Sequence, residues 1–485
     1  MEKLSAVAVL ACAVLYRPLT FWADNAWDVT VPLDLFATAG IEFAVALLIL
    51  VLLLVLPTPV FPTALIVAWA AFTVFNWGSF SAFGFLLGGA IALGLYSATV
   101  FGGVHPVRIT VVTTTVCVVA PLLLVANAHL SNDLPYPLDH PRVDPTASAT
   151  GAIDDILILV VDGYPMAAIA EDWFGHDHNS LRGALDNHGF SSPDISWSHN
   201  TFTSLAVPSM LELSQVVEPS SVGQWSHQKD NYDTSRGSNF TVSAFQSAGF
   251  HYTHIESGWN GDECHTPDTC LGTSWMDEAN WQLLKPAVFH PLVNRFMGTH
   301  MVPNSFATVD HLIDPETFVD GRRDLVYAHI LLPHPPYLVD SSCEVRPPQQ
   351  RLSAPNRIAE QLACTDSLLI EILEALPPEA AVLIAGDHGS ATRGQNFLSP
   401  SEWNDADIAE RLGAFLSYRL PSTCIGPNVQ SNLSAMRALT ICVLDVTLPD
   451  ENNAFVLGLD SPHEISVERL DNISEALSNG DLARD

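Results

Sequence analysis

The chain has 485 residues, enough for two structural units that each bury a core. Its formal charge of −33 and its mere three lysines, Lys3, Lys229 and Lys285, exclude the clustered cationic face that nucleic acid or an anionic lipid surface requires. Apolar residues make up 48% of the chain, a high share for a soluble protein, and their excess lies before residue 130 while the acidic charge lies after it.

In chain order, apolar stretches at residues 4–16, 36–56, 61–77, 83–100 and 109–128 approach or reach the roughly 20 residues that cross a bilayer. The first is short, but no small-residue cleavage site precedes Trp22 and four more stretches follow, so it reads as an uncleaved span. Residues 1–129 are therefore expected to form a bundle of about five transmembrane helices. Lys3 and Arg108 fall on one side and Asp24, Asp28 and Asp34, with the single cation Arg17, on the other, which puts the N-terminus in the cytoplasm. Everything after residue 130 is then extracytoplasmic, in a multi-pass protein of the cell membrane. Glu42 lies inside the second span, either snorkelling or functional. Six cysteines outside the spans, Cys264, Cys270, Cys343, Cys364, Cys424 and Cys442, suit an oxidising compartment. Their spacing leaves the connectivity open, and the simplest pairing joins neighbours.

Residues 130–152 are rich in Pro, Ser and Asp without periodicity and read as a linker. From 153 to 485, short apolar runs alternate with amphipathic segments, the pattern of an α/β domain with a largely parallel sheet. Runs at 156–161, 325–332 and 381–385 predict strands buried on both faces, and 358–376 has helical spacing. Each strand leads into polar residues: Asp162-Gly163-Tyr164, then His329 through His334, then Gly386-Asp387-His388-Gly389. Carboxyl ends of parallel strands share one edge, where ligands bind, so two carboxylates and two imidazoles are expected to converge. Such donors suit Zn²⁺, with Mn²⁺ or Mg²⁺ as alternatives if more oxygens join. Taken singly, Asp162 reads as a turn or cap residue, and the strongest metal signal is Asp387-His388 hedged by glycines. A hydroxyl run from Ser198 through Asn200 and Thr201 to Thr203 and Ser204 precedes Pro208 and a helix-like segment at 210–216. A hydroxyl beside a helix N-terminus and a metal is a candidate nucleophile, although the run alone reads as a plain cap.

In their order, Val160-Val161-Asp162-Gly163, Thr203-Ser-Leu-Ala-Val-Pro208, His329-Ile-Leu-Leu-Pro-His334 and Asp387-His388-Gly389 resemble the alkaline phosphatase/sulfatase superfamily. The likeness is strongest to its membrane-anchored lipoteichoic-acid synthases and phosphoethanolamine transferases. The resemblance implies that Thr203 is the nucleophile, with Thr201 and Ser204 as the alternatives, and that Asp162, Thr203, Asp387 and His388 hold a metal. His334 would touch a second metal or the substrate, Asn200 and His329 join the expected substrate-binding set, and Arg393 is either a phosphate-binding cation or a surface residue. Two features depart from the family. No formylglycine signature accompanies Pro208, and no further His follows His388 before His463, which leaves one metal or two open. The expected activity is transfer or hydrolysis of phosphate esters, with membrane lipids or an envelope glycopolymer as substrate and no nucleic-acid partner. A sulfate-ester hydrolase or phosphatase, and a catalytically silent envelope protein, are the alternatives. Residues 257–280 carry two Cys and several acidic side chains and are expected to border the pocket, without naming a ligand.

Overall fold

Three apolar runs lie side by side in the middle of one sheet. In the computed structural model its strands are β1 (Asp155–Val161), β2 (His251–Ile255), β3 (Thr269–Leu271), β4 (Asp324–Ile330), β5 (Ala381–Gly386) and β6 (Leu416–Arg419), in the order β3-β2-β4-β1-β5-β6. All neighbours are parallel except β6, which runs antiparallel on β5 at the edge. The structure describes residues 153–216, 228–259, 262–264, 267–272, 301–319, 321–347, 357–393, 400–421, 424, 429–448, 455–458, 465–468 and 477. They belong to one unit comprising Tyr136–Trp275 and Thr299–Asp485. The expected spans and the 130–152 linker lie outside the described residues, among which no helix is long and apolar enough to cross a membrane.

Nine helices are described: α1 (Ala167–Phe174), α2 (Asn179–Asn187), α3 (Thr203–Leu211), α4 (Gln228–Ser235), α5 (Phe240–Ser247), α6 (Met301–Ile313), α7 (Ile358–Ala375), α8 (Asp405–Leu412) and α9 (Asn432–Leu444). A separate antiparallel pair joins β7 (Phe455–Gly458) to β8 (Ile465–Glu468).

Strand side chains alternate between faces, and here both faces are covered. Leu157, Leu159 and Val161 pack with Leu369 and Ile372 of α7, whereas Ile156, Ile158 and Val160 pack with Met210 of α3 and Met436 of α9. These six β1 residues are at most 1% exposed, which explains an aliphatic run with no polar alternation. Each such side chain contributes roughly 1.5–3 kcal/mol of burial free energy. The pattern therefore fixed β1, β4, β5 and α7 closely. The 325–332 run overshoots β4 because Leu331 and Leu332 stay buried after pairing ends, and Pro333 brings no N–H to a ladder.

Strands β2, β3 and β6 carried no comparable signal, being short or rich in polar residues such as His251, His254 and Arg419. The helix expected from residue 210 instead begins at Thr203 and ends at Leu211. The first helical turn has no N–H partners to lose, so the hydroxyl run is tolerated there, while burial of Leu205, Ala206 and Val207 draws the segment onto the sheet. Three disulfides join Cys264 to Cys270, Cys343 to Cys364 and Cys424 to Cys442, the simplest pairing of the six.

Candidate active site

Strand register sets the spacing of the two carboxylates. Val161 lies opposite both Ile330 and Gly386, so Asp162 and Asp387, each one residue further on, emerge side by side. The chain turns sharply at Gly163, whose φ of +65° favours glycine, and its N–H donates to Asp387 Oδ1 at 2.9 Å. His388 N–H donates to the same oxygen at 2.9 Å. The other oxygen, Oδ2, accepts from the Thr203 hydroxyl at 2.6 Å. Thr203 opens α3 and is half-buried, with no side-chain cap at Phe202 before it, so the α3 N-terminus and the hydroxyl face the carboxylate edge together. Burial works against ionising Asp387, but His388, His329 and the Thr203 and Gly163 hydrogen bonds outweigh it and hold the carboxyl below its ordinary range.

The proton on His388 can be placed from its neighbours. Nδ1 lies 2.8 Å from the Gly389 carbonyl, which only accepts, so Nδ1 carries the hydrogen. In the neutral ring Nε2 then turns its lone pair toward Asp387 Oδ2 at 3.2 Å, Asp162 Oδ1 at 3.7 Å and Thr203 Oγ1 at 3.3 Å. Acceptors facing one another at such distances are favourable when a cation lies among them. His329 tells the same story. It is wholly buried, and neither ring nitrogen has a hydrogen-bond partner among the described residues. Its Nε2 lies 4.0 Å from Asp162 and its Nδ1 3.9 Å from Asp262, and burial lowers its basicity. Ligand atoms of Asp162, His329 and Asp387 all lie within 4.8 Å of one another. The donor set fits a divalent metal: two carboxylates, a hydroxyl and imidazole nitrogens around one point.

The other expected residues are distributed more widely. His334 is half-buried beside Gly163, its ring centroid 6.3 Å from that of His388, at the outer side of the cluster. Asn200 is buried and donates to Ser209 at 3.2 Å, bracing the α3 approach from behind. Arg393 is directed elsewhere: its Nε donates to Asp407 at 3.1 Å, and its guanidinium lies 5.6 Å from the Trp173 ring centre.

The cation beside His388 is instead Arg411, which the sequence did not single out. It is 2% exposed and donates to the Gly389 carbonyl at 3.1 Å, with Nη2 3.4 Å from His388 Nε2. Its neighbour Glu410 accepts from Ser390 and Thr392, so α8 grips the loop that follows Asp387. No sign of this is legible in the sequence, because α8 reads as an ordinary acidic helix although Asp407, Glu410 and Arg411 are buried in it. Asp262 was also missed. It comes from the 257–280 stretch, is fully buried, and links His254 at 3.0 Å to the His329 ring.

Solved structures to which the chain is similar include bacterial phosphoethanolamine transferases. One is the integral membrane lipooligosaccharide phosphoethanolamine transferase A of Neisseria meningitidis, with 13% identity over 90% of this chain and 98% of that one and a TM-score of 0.38. Another is the zinc complex of the C-terminal periplasmic domain of EcEptC from Escherichia coli, with 9% identity over 61% of this chain and 83% of that one and a TM-score of 0.38. A third, from Bacteroides thetaiotaomicron and named for metabolism of multiple glycosaminoglycans, has 12% identity over 66% of this chain and 85% of that one and a TM-score of 0.36. No protein-family model and no curated protein matches the sequence.

Proposed function

We propose that residues 153–485 form an extracytoplasmic catalytic domain, carried through the 130–152 linker on the membrane segment 1–129. In this reading Thr203 attacks a phosphate ester of a phospholipid head group or an envelope phosphodiester, and the phosphoryl group passes to an acceptor hydroxyl or to water. The observation that carries it is the 2.6 Å hydrogen bond from Thr203 to Asp387 at the N-terminus of α3, beside Asp162 and His388.

Asp162, Thr203, Asp387 and His388 would hold the metal, zinc by donor type with manganese or magnesium as alternatives. When bound, the metal supplies positive charge that eases loss of the Thr203 proton and offsets charge on the nonbridging oxygens. Asp387 Oδ2 orients the hydroxyl and takes its proton as Thr203 Oγ1 bonds to phosphorus. The bond from phosphorus to the leaving alcohol oxygen breaks, and His334, entering the step protonated, donates a proton to that oxygen. The α3 N-terminus faces the anion throughout. An acceptor hydroxyl or water, giving its proton to His334, then displaces Thr203 from phosphorus, and Thr203 recovers its proton from Asp387. A β-methyl group on the nucleophile precludes an aldehyde at that carbon, which favours phosphate over formylglycine-type sulfate chemistry.

One preparation of the full chain, loaded with Zn²⁺ or Mn²⁺, tests this against an aryl phosphodiester, an aryl phosphomonoester and an aryl sulfate. Phosphodiester turnover should dominate and a phosphoryl adduct should map to Thr203 by mass spectrometry. Preferred turnover of the sulfate, or undiminished phosphodiesterase activity in Thr203→Ala, would sink the assignment.

A further inference from the structure

A second group of metal-type ligands shares no residue with the site around Thr203. It is built from His176 and His178, in the short connection between α1 and α2, and from Asp366 in α7. His176 Nε2 lies 2.9 Å from Asp366 Oδ2, and His178 Nδ1 lies 3.0 Å from the same oxygen. The two rings stand at 89° with centroids 4.4 Å apart, so they approach one carboxylate oxygen from different directions. The other oxygen, Oδ1, accepts a hydrogen bond from the Tyr164 hydroxyl, which fixes how the carboxylate presents Oδ2. His178 Nε2 is buried without a hydrogen-bond partner among the described residues, so the ring is held through Nδ1 alone. His176, His178 and Asp366 are 8%, 6% and 5% exposed, close enough to the surface for an ion to enter and covered enough to retain it.

We propose that His176, His178 and Asp366 bind a zinc ion that clamps the α1–α2 connection to α7. Two imidazoles and one carboxylate are a three-ligand zinc set, with a fourth position for water. Zinc ligands about 2.0–2.1 Å from the ion stand roughly 3.3 Å apart in a tetrahedron, so the present 2.9 and 3.0 Å spacings need to open only by a few tenths of an ångström. Tyr164, donating to the non-ligating oxygen, acts as the outer partner that holds a ligating carboxylate in orientation. The clamp joins segments about 190 residues apart in sequence, through His176 and Asp366. It also bears on the catalytic edge, because Tyr164 is two residues beyond Asp162 and its carbonyl accepts from Phe415 at 2.9 Å.

The test uses full chains in which the site around Thr203 has been disabled by Asp387→Asn and His388→Ala. After incubation with Zn²⁺ and dialysis, this chain should retain about one equivalent of zinc by elemental analysis, melt higher with Zn²⁺ than with chelator, and show imidazole ligands in zinc-edge X-ray absorption. Adding His176→Ala and His178→Ala should remove the ion and the melting shift together. The proposal is overturned if the double variant holds no zinc, or if its zinc lacks imidazole ligands. Equal zinc content in the folded quadruple variant overturns it as well. Zinc content is read on a chain that retains both histidines, so an empty double variant overturns the proposal even if the quadruple variant fails to fold.

Discussion

The Thr203 hydroxyl and the Asp387 carboxylate meet at 2.6 Å although 184 residues separate them. The first opens a helix and the second ends a strand, so the pair exists only when α3 is docked against the carboxyl edge of the sheet.

Replacing Thr203 by Val keeps its branched shape and removes the oxygen. Phosphodiester turnover should fall by at least about 10³-fold, as expected for loss of a nucleophile. Thr203→Ser should retain most of the activity. Parallel kinetics and circular dichroism check this: an inactive serine variant with a native spectrum would argue for a role in shape rather than in bonding to phosphorus.

Arg411 steadies His388 from outside the cluster. Arg411→Gln removes the donor to the Gly389 carbonyl, which orients His388 through Nδ1, and should weaken metal affinity by roughly 10–100-fold, the range for loss of an outer-shell partner. Competition with a chromophoric chelator reads this directly. Unchanged affinity would mean that Arg411 serves only to pack α8.

Gly389 passes so close to α8 that a Cβ there would lie 2.0 Å from the Glu410 carbonyl oxygen and 2.6 Å from that of Gly413. Both neighbours are backbone and have little freedom to yield. Gly389→Ala should destabilise the domain by more than about 2 kcal/mol. A melting temperature equal to that of the parent would contradict the packing described.

Glu212, at the end of α3, is 6% exposed, and burial raises its pKa from 4.5 to about 7. The folded state therefore holds this proton more tightly than the unfolded chain does. The associated stability is fully present below pH 4.5 and is lost as pH rises through 7. At about 1.4 kcal/mol per unit, the upper bound is roughly 3 kcal/mol. Glu212→Gln should melt higher than the parent at pH 8 and equally at pH 4, in scans at matched ionic strength. A constant difference across that range would point away from ionisation.

The sequence made the middle of the sheet legible because burial on both faces leaves no choice but unbroken aliphatic strands such as β1. It also made Asp162 and Asp387 legible, since parallel strands must end on one edge. Contacts that depend on distant segments were invisible. Arg411 reaches His388 from a helix whose own sequence is ordinary, and Asp262 lies in a disulfide-bonded stretch without periodicity. Arg393 looked suitable by proximity to Asp387 in the chain, but the buried carboxylate of Asp407 attracts it away. The His176 and His178 pair gains meaning only when α7 brings Asp366 to it.

The opposition of Val161 to both Ile330 and Gly386 has a consequence for how this protein can fail. Asp162 and Asp387 inherit their separation from the paired ends of β1 and β5, with β1 held on its other side by β4, so no small local opening can part them. Amide exchange at Asp162 and His388 should thus follow the slow, whole-sheet class of the protein, and loss of metal affinity on heating should coincide with global melting. Chemistry here would be switched off by unfolding the domain, never by fraying its edge.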